Sequence, residues 1–328
     1  DKPEQPNVAR ILLASGLTFM VVLMGFPLLW ETVDTRLKTF AEIESFVGKP
    51  VMGHIQAIRG LDKKTAFKQM EHVGVVEAFR GIFAELTLQE DDAPIRIMVS
   101  STAPGEGKSF VSANLAFTCA RHGLKTVLVD ADLRRSSLHK SFDLKNTMGL
   151  KTWFNADPKE FKNLGLTQVA PELDLLPAGG SSTNSTELIR SQQFRELLDE
   201  LKERYDAVII DTPPVGPCPD ALLIARSVDH TLFVARQKAN SRHKIRSAVH
   251  KLEQTSAPVI GLVLNRIIGQ SADATYANYR SEYGFNYGYS AAYYSPEGKQ
   301  QTKVPEKPVV LNHRKARVPN NSKVETLS

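Results

Sequence analysis

Cysteine is scarce: the 328 residues contain only Cys119 and Cys218, too few for a disulfide framework. The eight histidines form no H-x-x-H or H-E-x-x-H pair, and no Cys/His spacing resembles a zinc site. These shortages exclude a disulfide-stabilised secreted domain and indicate a reducing compartment. An apolar share of 42% with 23% charged residues also excludes global disorder and a collagen-like fibre.

Positive charge is concentrated at the carboxyl end. Residues 299–328 contain seven Lys or Arg and two acidic residues, a net charge of +5 that equals that of the whole chain. The preceding residues are therefore neutral overall, and the charge predicts no nucleic-acid partner. We expect this basic tail to be disordered, with contact to anionic lipid as the alternative.

One long apolar run, residues 11–30, contains no charge. Twenty residues of helix span ~30 Å, the thickness of the hydrocarbon core of a bilayer, so the run predicts a transmembrane helix. A signal peptide is the alternative. Signal peptides have an apolar region of only ~7 to 15 residues, followed by a small-residue cleavage site, whereas this run is longer and no such site follows it. Because the chain starts with Asp1 and no Met, we expect a processed or truncated chain. Residues 1–10 then form a periplasmic end, and residues 31–70 a juxtamembrane linker.

The pattern changes after residue 70. Apolar residues recur at helical spacing in 71–89, and a breaker at 91–94 is followed by short β-like runs that alternate with helical segments. This alternation predicts an α/β fold, a mostly parallel sheet with helices on both faces. The predicted strands are 95–100, 125–130, 206–211, 229–235 and 259–265.

A glycine-rich loop joins the first of these strands to a helix. Its sequence STAPGEGKS, residues 101–109, ends in the GKS of a phosphate-binding loop, although the strict pattern has Gly where Thr102 stands. Backbone N–H groups and the helix N-terminus are predicted to hold phosphates, with the Lys108 ammonium on the β and γ phosphates and the Ser109 hydroxyl on Mg²⁺. A chance GKS in a surface loop would lack these flanking elements. The predicted nucleotide contacts are Pro104, Gly105, Glu106, Gly107, Lys108, Ser109 and Phe110.

Carboxylates follow two other strands. Asp130 and Asp132 end the second predicted strand, and Asp211 ends the third. A buried carboxylate without a nearby cation is costly, so three of them beside a phosphate loop predict ATP and Mg²⁺ as cofactors.

The motifs APGEGKS, VLVDADLRR, LDLLPAGG, IIDTPPV and GLVLNR occur in this order. The chain thereby resembles the bacterial tyrosine kinases of capsule and exopolysaccharide export, whose cytosolic P-loop domain is attached to a chain-length-determinant membrane region. Residues 1–53 resemble the end of that membrane region. The resemblance implies an autokinase in the bacterial inner membrane, with a kinase domain at 71–268 that faces the cytoplasm. It also implies three kinds of partner: other copies of the chain in a ring, the polysaccharide polymerase and export machinery, and a cognate tyrosine phosphatase.

The resemblance also implies residue roles. Asp130 would orient or activate the attacking tyrosine hydroxyl, and Lys108 and Asp132 would act in catalysis with it. Mg²⁺ would be held by Ser109, Asp132 and Asp211, and adenine would be contacted by Asn265. Arg134 and Arg135 would meet phosphate or a neighbouring subunit, or form a solvated charge pair.

Two other classes stay open. Partitioning and septum-positioning ATPases share the expected fold, but they carry a signature lysine where this chain has Ala103. A non-catalytic regulator of polysaccharide chain length would not need the three aspartates.

Seven of the eight tyrosines lie within residues 269–298, interleaved with Gly, Asn and Ser. This segment has no aliphatic periodicity, so we expect it to be mobile and to carry the phosphoacceptors. A stacking tract for single-stranded nucleic acid is the alternative, but Arg280 is its only basic residue between the first and last tyrosine. The candidate phosphoacceptors are Tyr276, Tyr279, Tyr283, Tyr287, Tyr289, Tyr293 and Tyr294.

The family's ring-forming helix carries the pattern E-x-x-R-x-x-R. Glu77 and Arg80 match its first two positions, and Phe83 replaces the last arginine. We expect Glu77 and Arg80 at an oligomer interface, with a solvated i,i+3 ion pair as the alternative.

Overall fold

The structure is a computed structural model that describes residues 12–13, 15–23, 25, 40–57, 73–89, 94–154, 165–236 and 239–267. The chain divides into two compact units, Asp1–Asn286 and Tyr287–Ser328, and every described residue belongs to the first. The predicted periplasmic end, the tyrosine cluster and the basic tail lie outside the described residues.

Residues 15–23 are helical, and their apolar side chains are more than half exposed. Among the residues that the structure describes, no helix combines the length and the apolar content that a membrane crossing requires. Residues 11, 14, 24 and 26–30 of the predicted span lie outside that description.

The described residues form one eight-stranded sheet of order β1-β8-β7-β2-β6-β3-β5-β4. All neighbouring strands are parallel except β4 and β5, which are antiparallel. The strands are β1 (Val51–Gln56), β2 (Ile95–Ser101), β3 (Thr126–Asp130), β4 (Thr167–Ala170), β5 (Leu173–Leu176), β6 (Ala207–Asp211), β7 (His230–Arg236) and β8 (Val259–Ile267). The helices are α1 (Phe40–Val47), α2 (Val73–Gln89), α3 (Lys108–Arg121), α4 (Leu138–Ser141), α5 (Leu150–Phe154), α6 (Ser185–Arg190), α7 (Gln192–Arg204), α8 (Asp220–Ile224), which continues into a 3-10 turn (Ala225–Ser227), and α9 (Arg242–Glu253).

Helices cover both faces of the sheet because its central strands are apolar on both sides. In β2, Met98 belongs to one hydrophobic core, whereas Ile97 and Val99 belong to the other. The first core contains residues of α1, α7 and α9, and the second contains residues of α2 and α3. The predicted α/β class with helices on both faces is confirmed.

The five predicted strands are confirmed to within two residues at each end, and the helix predicted at 71–89 is described from Val73. Strands β1, β4 and β5 were not predicted. α1 and β1 lie in the range assigned to a juxtamembrane linker, so the folded domain is larger at its amino end than the sequence indicates. β1 is a short run interrupted by Gly53, where a Cβ atom would lie 2.5 Å from Ile82 Cγ1 of α2. Gly53 therefore interrupts the apolar pattern that would predict a strand, and its lack of a side chain allows α2 to pack on β1.

The sheet register brings three strand ends together. Asp211 of β6 is level with Val99 of β2 on one side and with Asp130 of β3 on the other. The loop between β2 and α3 follows directly on the same edge. Since parallel strands end at one edge of a sheet, residues distant in sequence meet there.

Candidate active site

The loop between β2 and α3 turns sharply enough to need glycine at two positions. Gly105 and Gly107 have φ values of 83° and 99°, in the left-handed region that side chains disfavour. Gly107 is also the residue before α3, and no side chain caps the amides of that helix. The first turn of α3 therefore offers N–H groups and a positive dipole end, which suit phosphate.

Lys108 reaches across the sheet edge. Its Nζ donates a hydrogen bond to Asp132 Oδ2 at 2.8 Å, and both side chains are largely buried. Burial alone would lower the pKa of Lys108, but the negative charges of Asp211 and Asp132 outweigh it and raise this pKa above its ordinary value. The ammonium therefore stays charged, as phosphate binding requires.

Asp130 and Asp211 are fully buried side by side. Asp130 Oδ2 accepts hydrogen bonds from the N–H groups of Ser137 and Leu138 at 3.2 and 3.1 Å. Its Oδ1 and Asp211 Oδ2 have no hydrogen-bond partner within the described part of the chain. Burial, and then the charge of Asp211, raise the pKa of Asp130 to about 8. Burial likewise raises the pKa of Asp211.

Hydroxyl groups link the phosphate loop to these carboxylates. Ser112 Oγ donates to Asp211 Oδ1 at 3.1 Å, and Ser137 Oγ donates to Ser109 Oγ at 3.0 Å. Ser137 therefore contacts both the loop serine and, through its N–H, Asp130. Pattern analysis missed Ser112 and Ser137, and the only available signal was the position of Ser137 after the VLVDADLRR motif.

The site can hold Mg²⁺ together with a bound nucleotide, whose phosphate oxygens complete the coordination. No three His, Cys, Asp or Glu side chains within the described ranges form a self-sufficient metal site. Mg²⁺ in nucleotide sites keeps several waters and takes one or two protein oxygens together with phosphate oxygens. The Ser109 hydroxyl and the unpartnered Oδ2 of Asp211 supply such ligands, and the Asp132 carboxylate lies at the same edge on Lys108, so these residues fit the ion.

Comparison with known proteins decides the family. A family model described as "ParA: NUBPL iron-transfer P-loop NTPase" matches residues 94–284. The chain is 33% identical over 200 residues to the putative tyrosine-protein kinase CapB of Staphylococcus aureus, covering 59% of this chain and 85% of CapB. The chain is a P-loop NTPase of the bacterial tyrosine kinase family.

Other relatives of this family differ in length. The tyrosine-protein kinase ptk of Acinetobacter johnsonii is 36% identical over 289 residues, which is 83% of this chain but 38% of ptk. The chain thus spans most of CapB and well under half of ptk. Among solved structures, the kinase domain of the Escherichia coli tyrosine kinase ETK is similar with a TM-score of 0.65 and 27% identity, covering 72% of this chain and 97% of that domain.

Three other residues predicted to contact the nucleotide are Pro104, Phe110 and Asn265, and the contacts of Phe110 and Asn265 in the structure are with the protein itself. Pro104 is exposed at the loop apex, whereas the Phe110 ring lies 6.0 Å from that of Phe79 in α2, a packing contact. Asn265 donates from Nδ2 to the carbonyl of Glu106 at 2.8 Å, so it supports the loop. Its predicted contact with adenine stays a prediction.

Arg134 makes a contact that the sequence did not indicate. Its Nε donates to Oδ2 of Asp220 at 2.8 Å, and that carboxylate also accepts from the hydroxyls of Ser185 and Thr186. Burial would raise the pKa of Asp220, but the hydrogen bonds, that from Arg134 foremost, lower it. Arg134 therefore joins the loop after β3 to α6 and α8. The Arg135 N–H donates a hydrogen bond to Asp132 Oδ1 at 2.9 Å.

Glu77 and Arg80 form an exposed i,i+3 ion pair with a distance of 2.7 Å. Phe83 does not extend from the same surface. Its ring stacks on His122 with a centroid distance of 4.4 Å and packs against the second core. The third position of the ring motif is thus used for packing within the domain, and the role of Glu77 and Arg80 at an interface stays a prediction.

Proposed function

We propose that the chain is an ATP-dependent protein-tyrosine autokinase that transfers the γ-phosphoryl group to its own tyrosine cluster at 276–294. One observation carries the proposal. Lys108, Asp132, Asp130 and Asp211 meet at one sheet edge beside a phosphate loop, in a chain that places seven tyrosines after its last described strand.

Each side chain has a distinct task in this proposal. The α3 amides and the Lys108 ammonium bind the phosphates, and Ser109, Asp132 and Asp211 hold Mg²⁺, which neutralises phosphate charge when bound. Asp130 in its ionised form orients the phenol hydroxyl and accepts its proton. Because Asp130 is fully buried, the side chains around it must move before a tyrosine reaches its Oδ1. Alignment and charge neutralisation dominate such transfers, because their transition states are loose.

The segment that carries the acceptor tyrosines follows β8, whose end lies beside the phosphate loop. Asn265 lies in β8 two residues before its end and touches the phosphate loop, so the chain leaves the sheet beside the site. From Ile267 to Tyr294 the chain spans at most ~95 Å when fully extended. Transfer within one subunit and transfer to a neighbour are therefore both within reach.

The cellular setting is also part of the proposal. By analogy with relatives named as tyrosine-protein kinases, one of them "in cps region" of Klebsiella pneumoniae, the kinase regulates polymerisation and export of a capsule or exopolysaccharide. It acts at the inner membrane with its catalytic domain in the cytoplasm, as a homo-oligomer that a tyrosine phosphatase resets. Phosphorylation adds about −1.5 to −2 charges per tyrosine, so it loosens the assembly by repulsion.

The test is phosphotyrosine mass spectrometry of the purified chain after incubation with MgATP. We expect phosphate on tyrosines of 276–294 in the parent chain, and none in Lys108→Met or Asp130→Asn. Lys140→Met, a change at an exposed lysine of α4, is the matched control and keeps the signal. ATP hydrolysis without labelling would instead indicate a positioning ATPase, and absence of both would indicate a non-catalytic regulator.

A further inference from the structure

The phosphate loop contains a carboxylate that faces inward. Pro104 and Gly105 at the loop apex are exposed, yet Glu106 beside them is only 1% exposed. An acidic side chain next to a triphosphate site repels the ligand, and burying it costs further free energy unless it is hydrogen-bonded. Such a residue needs a compensating role.

The carboxylate closes the loop on itself and ties it to the next strands. Glu106 Oε2 accepts a hydrogen bond from the Ala103 N–H at 2.7 Å, across the loop turn. Glu106 Oε1 accepts from Asn240 Nδ2 at 2.8 Å and from the Arg236 N–H, at the end of β7, at 3.4 Å. Burial raises the pKa of Glu106, whereas the hydrogen bond from Ala103 and those from Asn240 and Arg236 lower it and leave a smaller net rise.

The main chain of the same residue is held from another strand. The Glu106 carbonyl accepts from Asn265 Nδ2 at 2.8 Å. The next residue, Gly107, has no room for a side chain, because a Cβ atom there would lie 1.9 Å from that same nitrogen. The loop is therefore fixed at residue 106 from both β7 and β8, two residues before Lys108, the lysine proposed to bind phosphate.

We propose that Glu106 is a positioning residue, with Asn240 as its partner, that holds the phosphate loop in its binding conformation and thereby sets nucleotide affinity. This inference rests on the nucleotide-binding part of the proposed function. A loop that is already ordered loses less conformational entropy when the triphosphate binds, which lowers the dissociation constant. The Glu106 carboxylate is hydrogen-bonded to Ala103, Arg236 and Asn240 and not to Lys108, Asp130 or Asp132, so we expect the rate of transfer at saturating ATP to be unaffected.

The chemistry of the pair gives a specific test. A carboxylate only accepts hydrogen bonds, and the Asn240 amide donates one to it. Asn240→Asp places two carboxylates against each other and breaks the contact. Adding Glu106→Gln exchanges the partners, so that an amide at position 106 donates to a carboxylate at position 240 and only the longer bond from the Arg236 N–H is lost. The total charge returns to that of the parent chain.

The experiment measures the dissociation constant of MgATP by calorimetry for the full chain, with the Michaelis constant and turnover number of autophosphorylation as a second readout. We expect Asn240→Asp to weaken binding about tenfold and the double variant Glu106→Gln/Asn240→Asp to recover to within about threefold. The turnover number at saturating ATP stays within about threefold in both. Gln168→Glu on the edge strand β4 adds the same charge away from the loop and leaves affinity unchanged.

Two results would overturn the inference: parent-like affinity in Asn240→Asp, or a folded double variant that binds as weakly as Asn240→Asp. If Asn240→Asp does not fold, Glu106→Ala replaces it, and we expect the same loss of affinity with an unchanged turnover number. Failure of the parent chain itself to bind MgATP would refute the proposed function, whereas equal binding by all variants refutes only the role of Glu106.

Discussion

Replacing Asp130 with Asn should make the protein more stable while it abolishes transfer. The Asp130 carboxylate is fully buried beside Asp211, and one of its oxygens has no hydrogen-bond partner in the part of the chain that the structure describes. The Asn carbonyl oxygen can still accept from the N–H groups of Ser137 and Leu138. Its NH₂ group then occupies the place of the unpartnered oxygen, next to an acceptor. The substitution removes a buried ionisable group, which must take up a proton on folding at neutral pH, and keeps the contacts that hold the side chain.

The size of the effect follows from the pKa. Burial and the charge of Asp211 raise the pKa of Asp130 to about 8 in the folded protein, against ~3.9 in an unfolded chain. A carboxyl group with a raised folded pKa favours folding fully below the unfolded value and loses this contribution as pH rises through the folded value. Each pH unit between the two pKa values is worth about 1.4 kcal/mol of unfolding free energy. At pH 7 this carboxyl group therefore makes the unfolding free energy about 4 kcal/mol lower than it is below pH ~3.9.

The assay is urea denaturation in EDTA between pH 5 and pH 8.5. We expect Asp130→Asn to exceed the parent chain in unfolding free energy by about 2 to 4 kcal/mol at pH 7, with a difference that grows up to pH ~8. Asp229→Asn is the control of opposite sign. Burial would raise the pKa of Asp229, but its hydrogen bonds, those from Arg96 foremost, lower it, so that variant loses stability. A pH-independent difference, or a destabilised Asp130→Asn, would refute the reasoning.

Three further predictions concern the phosphate loop, the ion pair of Arg134 and Asp220, and α2. Gly107→Ala places a Cβ atom 1.9 Å from Asn265 Nδ2 at a φ of 99°, so we expect loss of MgATP binding by calorimetry; retained binding would contradict the loop geometry. Arg134→Ala leaves the buried Asp220 carboxylate without its cation, and urea denaturation should show a loss of about 1 to 3 kcal/mol, with an unchanged midpoint as the contrary result. Phe83→Arg restores the third position of the ring motif, and light scattering should report a larger assembly; an unchanged size would argue against this helix as the interface.

The main elements of the site could be predicted because they follow local rules. A buried strand, a glycine turn and a helix start place Lys108 and Ser109, and strand ends in one sheet place Asp130 and Asp211. These rules depend on residues that are close in sequence or on an edge that all parallel strands share.

The contacts that brace the site could not be predicted from the sequence. Glu106 and Asn240 are 134 residues apart, and Arg134 and Asp220 are 86 apart. Nothing in local spacing shows that the Glu106 carboxylate turns inward or that Arg134, within the VLVDADLRR motif, has a buried partner. The packing of Phe83 on His122 likewise depends on how α2 and α3 meet, which is a property of the tertiary structure.

The most direct test of the account follows the γ-phosphate itself. The parent chain and Lys108→Met are incubated with Mg²⁺ and ATP labelled in the γ position, and the label is located by peptide mapping. We predict label on tyrosines between residues 276 and 294 in the parent chain and none in the variant. Release of all the label as inorganic phosphate, with unlabelled tyrosines, would contradict it.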